Sequence, residues 1–269
     1  MISTIAALAL LTSSSSQAQG QPAAQPAAQL PSAAVLISEM MAKYAAAKTL
    51  TGNVESIIQS GKDSVKLSSY IQYDREKRGL YIRQVKEGGR KGQTVLVSDG
   101  IRFMYANPMS GAGHRDRVPY LVENAMRREA SMTPQGPKVT EIPMNVGEVY
   151  IAGSLGLFDR NVPIDMAIAR LEDLQFFRGQ LVSFVNRGLE EFNGEKAYKI
   201  SGQWKAYSSA QNAQGEYDLF ITPEKDIVGY RTFETFALEK GVFKIISTWL
   251  CSFKVGGTPD PKLFAVRKP

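Results

Sequence analysis

The chain has 269 residues, 43% of them hydrophobic, which is enough for one large domain or two small ones around a packed core. Its formal net charge is +6, and it contains one cysteine and one histidine. These counts exclude an intramolecular disulfide and a zinc site built from several Cys and His ligands.

The first segment has the pattern of an export signal. Residues 5–11 (IAALALL) are apolar but too short to span a bilayer, and Ser16-Gln17-Ala18 is a small-x-small cleavage pattern. We therefore predict a signal peptide at 1–18 and a periplasmic or otherwise extracytoplasmic mature protein. Residues 19–31, built mainly from Gln, Pro and Ala, predict a disordered linker ahead of a single domain at 32–269.

A helix is predicted over residues 32–47, because Leu36, Met40, Tyr44 and Ala47 fall on one face. The hydrophobic period then changes to two, which is typical of strands. Short polar turns separate the predicted strands at 50–60, 64–74, 79–85, 94–98 and 101–105.

The stretch VSDGIRFMYANP (97–108) contains a hairpin signal, because Asp99-Gly100 lies between runs of β-branched and aromatic residues. A two-residue turn at this position would place Leu96 opposite Phe103 and Thr94 opposite Tyr105.

The second half of the chain repeats this alternation of helices and strands. Helices are predicted at 119–130 and 163–177, within an insertion spanning about 106–178. Strands are predicted at 180–192, 195–204, 216–221, 226–238 and 242–255, with Asn193-Gly194 as a second hairpin turn. Because tight turns join successive strands, the fold class is α+β, with a strongly curved antiparallel sheet covering a few helices.

Residues with catalytic chemistry are sparse. A Ser-His-Asp triad would have to use His114, in the loop GAGHRD. We therefore predict a protein that is not an enzyme and needs no cofactor, and keep a hydrolase acting through His114 as an alternative.

Large apolar side chains are unusually abundant on the predicted strands. In the last strand Trp249, Cys251 and Phe253 alternate onto one face, while Ile246 and Leu250 lie on the other. This excess indicates either a hydrophobic cavity that holds acyl chains or an ordinary, larger core. The predicted cavity lining is Leu96, Phe103, Tyr105, Trp204 and Trp249.

Positive charge is concentrated in the first half of the chain and includes the pair Arg127-Arg128. A basic face of this kind is compatible with anionic lipid headgroups, with an acidic protein partner, or with a simply solvated surface. The sequence contains no motif of a nucleic-acid reader.

Three stretches resemble the LolA-like superfamily, which comprises periplasmic lipoprotein carriers and outer-membrane lipoprotein-sorting relatives. They are MMAKYAAAKTLTGNVES (40–56), VSDGIRFMYANP (97–108), and FNGEKAYKISG (192–202) followed by DLFITPEKDIVGYRTFE (218–234). The resemblance spans roughly residues 33–255, in spacing more than in identity.

This resemblance implies an incomplete, half-open antiparallel β-barrel around helices, with a cavity for the acyl chains of a lipid or lipoprotein. It also implies an arginine that holds a helical lid or contacts the lipid headgroup, and Arg75 in YDREKRGLY is the matching residue. The implied protein is a monomeric carrier that contacts membranes peripherally. The alternative is an envelope sensor or scaffold that uses the same fold to bind a protein partner.

Overall fold

A computed structural model of the chain describes residues 30–87, 93–106, 120–154, 161–168, 179–206, 214–238 and 241–266. The predicted signal peptide, most of the predicted linker and His114 lie outside the described residues, as does the second half of the helix predicted at 163–177.

Long antiparallel strands dominate the described part of the chain. In chain order its elements are α1 (Ala33–Ala46), β1 (Thr49–Ser60), β2 (Asp63–Asp74), β3 (Gly79–Glu87), β4 (Gln93–Asp99), β5 (Phe103–Ala106), β6 (Tyr120–Val122), β7 (Met126–Thr133), β8 (Gly136–Pro143), α2 (Val146–Ser154), α3 (Val162–Ile168), β9 (Gly179–Phe192), β10 (Glu195–Ala206), β11 (Gln214–Ile221), β12 (Ile227–Leu238), β13 (Gly241–Val255) and a short 3₁₀ helix (Pro261–Phe264). Residues Pro31–Pro269 form one compact unit.

Eleven strands form one sheet in the order β6-β5-β4-β3-β2-β1-β13-β12-β11-β10-β9. Neighbours along the chain pair with each other in each half, and the antiparallel pairing of β1 with β13 joins the two halves. The sheet is open, with β6 and β9 as its edge strands. This arrangement confirms the predicted α+β class with a large, open antiparallel sheet.

The turn between β9 and β10 shows why local sequence predicted these strands so well. Asn193 and Gly194 have φ values of 54° and 79°. A two-residue hairpin turn of type I′ requires positive φ at both central positions, which Asn and Gly tolerate at little cost. The predicted hairpin at Asn193-Gly194 is therefore confirmed.

The hairpin in VSDGIRFMYANP exists, but its predicted register is wrong. Ser98 pairs with Phe103, and Leu96 pairs with Tyr105 rather than with Phe103. The Asp99 carboxylate accepts hydrogen bonds from the backbone N–H groups of Ile101 (3.0 Å) and Arg102 (2.8 Å), and these stabilise a longer loop than the predicted two-residue turn. Because the register differs by two residues, every side chain keeps its predicted face.

The helix predicted at 119–130 is also wrong. Residues Tyr120–Val122 form β6, and Met126–Thr133 pairs with Gly136–Pro143 as a separate two-stranded sheet. Residues 127–131 offer no large apolar side chain for a helix to bury, whereas the turn at 133–136 favours a hairpin. Thr133 Oγ1 donates to the Gly136 carbonyl at 2.7 Å, and Gly136 has a φ of 112°.

The three α-helices of the described residues pack on one face of the large sheet, which we call the inner face. Leu36, Met40 and Tyr44 of α1 are fully buried there, as the helical spacing predicted. A smaller cluster of Phe192, Ala197, Phe220 and Val228 forms a separate apolar core. Among the described residues, no helix has the length and apolar character needed to cross a membrane.

Candidate ligand-binding site

Near the β1–β5 end of the sheet, the inner face is a mainly apolar wall. Cross-strand neighbours share a face, so pairing aligns their side chains in rows across the strands. One such row contains Ile71, Ile82, Leu96 and Tyr105, on β2 to β5. Each of these side chains is at least nine-tenths buried.

The five predicted lining residues all belong to this inner face. Leu96, Phe103, Tyr105 and Trp249 lie in the main buried core, and half-buried Trp204 packs against it. Leu96, Phe103 and Tyr105 come together on β4 and β5. The two tryptophans lie farther along the sheet, on β13 and β10.

Helix α2 covers the Leu96 end of the wall at very short range. A Cβ added at Gly153 of α2 would lie 2.6 Å from Leu96 Cδ1, so the helix backbone contacts the leucine side chain directly. A guest that contacted Leu96 would therefore have to displace α2.

Arg75 links the C-terminal ends of α1 and α3. Its Nε donates to the carbonyl of Ala47 at 3.0 Å, and its Nη2 donates to the carbonyls of Ile168 (2.9 Å) and Tyr44 (3.4 Å). The last carbonyls of a helix have no partner within the helix, so a guanidinium with several donors can serve two helices at once.

Tyr73 contacts the same junction between α1 and α3. Its ring lies 4.8 Å from the Arg75 guanidinium, a favourable cation–π distance. Its hydroxyl donates towards the carbonyls of Ala167 (3.3 Å) and Tyr44 (3.5 Å). Burial raises the pKa of Tyr73, while the Arg75 charge and hydrogen bond act in the opposite direction. We refer to Arg75 and Tyr73 together as the helix clamp.

Tyr44 fixes α1 to the opposite half of the sheet. Its hydroxyl accepts a hydrogen bond from the backbone N–H of Ile227 at 3.1 Å. Burial, as the largest cause, raises the pKa of Tyr44 well above its ordinary value. Burial likewise raises the pKa of the Cys251 thiol, which disfavours the reactive thiolate form.

Sequence reasoning missed a group of buried polar side chains that crosses the inner face. Ser69 Oγ accepts from Gln84 Nε2 and from Asn161 Nδ2, each at 3.3 Å, while Asn161 Oδ1 accepts from the N–H of Ile164 in α3. Beyond Ser69 the polar side chains continue on β1, β13 and β12 as Ser56, Ser247, Thr232 and Glu234, each less than 9% exposed. The period-two alternation of the predicted strands could have identified these polar side chains, because it places them on the inward face.

Two buried polar atoms of the inner face, Ser56 Oγ and Trp204 Nε1, have no hydrogen-bond partner within the described part of the chain. Buried polar groups are usually satisfied, so each of these exceptions needs an explanation.

Several of the basic residues form ion pairs where the structure describes them. Arg102 binds Asp99 at 2.7 Å, Arg127 binds Glu148 at 3.0 Å, and Arg128 lies 3.4 Å from Glu141.

Restricted to the described residues, no cluster of three or more His, Cys, Asp or Glu side chains is placed to hold a metal ion.

Comparison with known proteins gives structural similarity only. No family model matches the chain, and no curated protein matches it. Among solved structures, the Pseudomonas aeruginosa MucA/MucB complex matches 87% of this chain at 8% identity, with a TM-score of 0.40. The chain spans 60% of the length of that matched chain.

Two further solved structures match most of this chain. LprF from Mycobacterium bovis matches 84% of this chain and 95% of its own, at 9% identity and a TM-score of 0.40. A LolA superfamily protein from Nitrosomonas europaea matches 88% of this chain and 99% of its own, at 13% identity and a TM-score of 0.24. The matched structures therefore include a member of the superfamily that the motifs resemble.

Proposed function

We propose that the protein is an exported, non-catalytic carrier that holds the acyl chains of a lipid or lipoprotein between the inner face of the sheet and its helices. The observation that carries this proposal is the helix clamp. Arg75, which directly follows β2, and Tyr73, which lies within β2, hold α1 and α3 by hydrogen bonds to the carbonyl groups at the ends of these helices. Such contacts can be broken and remade without unfolding the sheet.

Opening of the clamp costs free energy, part of which a bound guest returns. Hydrogen bonds from a charged donor contribute about 1.5–3 kcal/mol each, so the three bonds of Arg75 amount to roughly 5–9 kcal/mol. Burying about fifteen methylenes of an acyl chain contributes roughly 12 kcal/mol at about 0.8 kcal/mol each. An acyl chain of this length therefore offsets the loss of the Arg75 bonds, and it must also replace the apolar contacts that Leu36, Met40 and Tyr44 make with the sheet.

The first test is direct. Protein purified from its native compartment is extracted with organic solvent, and the extract is analysed by mass spectrometry, while a fluorescent long-chain fatty acid is titrated into the purified protein. We expect a stoichiometric lipid and saturable uptake. Absence of both results would contradict the carrier proposal.

A variant of the wall tests the location of the guest. Leu96→Gln places an amide at a fully buried wall position and should weaken uptake of the fluorescent fatty acid. Val139→Gln changes a side chain that is 60% exposed on β8 and serves as the control. Circular dichroism must show that both variants are folded. Equal uptake by the two folded variants would place the guest elsewhere.

One observation favours a second candidate function, the binding of a protein partner. The β7–β8 hairpin carries Met132 and Val139 at 84% and 60% exposure, together with the exposed Arg127 and Arg128. A two-stranded hairpin with both faces in water is marginal by itself, so a partner would stabilise it. Charge reversal at Arg127 and Arg128 should abolish capture of such a partner and leave fatty-acid uptake intact.

A further inference from the structure

A half-buried lysine occupies an inward position of β3. Lys86 pairs in register with Leu67 of β2, and Leu67 pairs with Ser56 of β1. Directly paired residues share a face, so Lys86 lies on the inner side together with Leu67 and Ser56, which are 1% and 2% exposed. Two strand spacings, or about 10 Å, separate the Cα atoms of Lys86 and Ser56. A small polar group placed over Leu67 is therefore within reach of both side chains.

The polar atoms of both side chains are unused within the described part of the chain. Ser56 Oγ has no hydrogen-bond partner there, and Lys86 forms no ion pair with a described residue. Lys66, which lies on the opposite face of β2, is different, because it forms ion pairs with Glu55 (3.5 Å) and Glu87 (3.6 Å). A partly buried charge and an unsatisfied buried hydroxyl both cost free energy, and a bound anion would satisfy both.

The inner face changes from polar to apolar along β2 and β3. In the row next to Lys86 and Leu67, buried Gln84 donates to Ser69 at 3.3 Å. Beyond that row the paired inward residues are apolar or aromatic: Ile71 with Ile82, and Tyr73 with Leu80. The six residues from Leu67 to Tyr73 span roughly 20 Å at about 3.3 Å per residue, which is close to the length of a long acyl chain. This gradient matches a lipid whose head lies at Lys86 and whose chain extends towards the helix clamp.

The acidic side chains near this row do not neutralise Lys86. On β1, β2, β4 and β5 the charged residue at a described inward position is Asp63, which lies four residues along β2 from Leu67, or roughly 13 Å away. The acidic side chains of the three helices have partners of their own: Glu39 with Lys225, Glu148 with Arg127, and Asp165 with Tyr150. Lys86 is therefore a cation that remains available to a guest on the inner face.

From this arrangement we infer that Lys86 and Ser56 bind the anionic head of an acyl lipid, a carboxylate or a phosphate. The inference rests on the proposed carrier function and specifies the ligand class and its orientation. Lys86 supplies the countercharge, Ser56 donates a hydrogen bond to an oxygen of the head, and the apolar rows receive the chain. Arg75 donates to the carbonyls of α1 and α3, so its role is to hold the helices and the headgroup contact belongs to Lys86.

The test compares anionic lipids with neutral lipids that carry the same acyl chain. Oleate is paired with oleyl alcohol, and 1-oleoyl lysophosphatidate is paired with 1-monooleoylglycerol. Each lipid competes with the fluorescent fatty acid for the purified protein, below the concentration at which it forms micelles. We expect the neutral lipids to compete through their chains, and at least one anion to compete several-fold better than its neutral partner.

The two pairs distinguish the sources of the anion. A larger difference in the first pair identifies the head as a carboxylate, and a larger difference in the second identifies it as a phosphate. If neither anion competes better than its neutral partner, the inference is overturned while the carrier function remains. If the fluorescent probe itself does not bind, the carrier function fails and the inference fails with it.

Substitutions show whether Lys86 and Ser56 cause the preference. Lys86→Met keeps an unbranched side chain without its charge and should remove most of the preference, whereas Lys86→Arg should preserve it. Ser56→Ala should weaken binding of the preferred anion several-fold. Lys66→Met removes a lysine from the opposite face of β2 and is the matched control, which should leave the preference unchanged. Circular dichroism must show that the variants are folded. A preference that survives in folded Lys86→Met, or that is lost equally in Lys66→Met, would contradict the assignment of the site.

Discussion

At the residue scale, Arg75 combines contacts that sequence alone could not connect. Its partners Ala47 and Ile168 lie 28 and 93 residues away along the chain. Position 75 followed from a family resemblance, but the carbonyls that it contacts are determined by tertiary structure. By contrast, the buried face of α1 could be predicted because Leu36, Met40 and Tyr44 repeat every four residues.

Replacing Arg75 should separate its structural role from its effect on binding. Arg75→Leu leaves helix-terminal carbonyls without donors, and we expect the free energy of unfolding to fall by about 3 kcal/mol or more. The substitution destabilises the empty, closed form, which makes these hydrogen bonds, relative to the open form that binds the guest. The apparent affinity for the fluorescent fatty acid should therefore rise. Urea unfolding and probe titration measure the two effects.

Arg83→Leu is the matched control for Arg75, because Arg83 is an exposed arginine on the neighbouring strand β3. It should alter neither stability nor affinity appreciably. Indistinguishable unfolding curves for the two variants would show that the clamp contributes nothing to holding the helices.

At the element scale, the strands could be predicted because each has period-two alternation and is bounded by turn residues. The register of the β4–β5 pair could not be predicted in this way, because it depends on side-chain hydrogen bonds of Asp99 that a turn signal does not encode. The β7–β8 hairpin was missed for a related reason: its residues are exposed on both faces, so they have no alternation to detect.

Exposure also predicts which elements stabilise the fold. Replacing residues 129–140 by a short turn should change the free energy of unfolding by no more than about 0.5 kcal/mol, because all the removed side chains except that of half-buried Thr133 are exposed. Phe264→Ala should cost about 3–5 kcal/mol, because this ring is 7% exposed and contacts β3 at Gly79. Urea denaturation of both variants checks the contrast, and a large loss on shortening the hairpin would mean that it packs against the domain.

For the whole molecule, buried phenols predict a loss of stability at alkaline pH. Burial raises the pKa of Tyr44, Tyr217 and Tyr230 above the ordinary value of 10.0, and that of Cys251 above 9.0. These groups stay protonated in the folded protein while the unfolded chain releases their protons. The contribution of these groups to the free energy of unfolding should therefore be constant below about pH 9 and fall as the pH rises further.

The Tyr230→Phe variant lacks one of these titrating groups. Above about pH 10 the stability of this variant should decline less steeply than that of the parent chain, by about 1.4 kcal/mol per pH unit. Urea unfolding between pH 7 and pH 11 gives both slopes. Parallel curves for the two proteins would show that Tyr230 does not titrate differently in the folded and unfolded states.

Both tryptophans of the chain face the inner side of the sheet, which makes the molecule its own reporter of occupancy. Trp249 lies in the buried core of the inner face and Trp204 packs against that core, so an acyl chain held between the inner face and the helices would lie close to the indoles. A monoacylglycerol brominated along its chain should quench the intrinsic fluorescence saturably, whereas its unbrominated counterpart should not. Trp204→Phe and Trp249→Phe assign the quenching to each indole. If the brominated lipid binds but quenches neither residue, the guest occupies a surface other than the inner face, and the placement of the ligand proposed above is wrong.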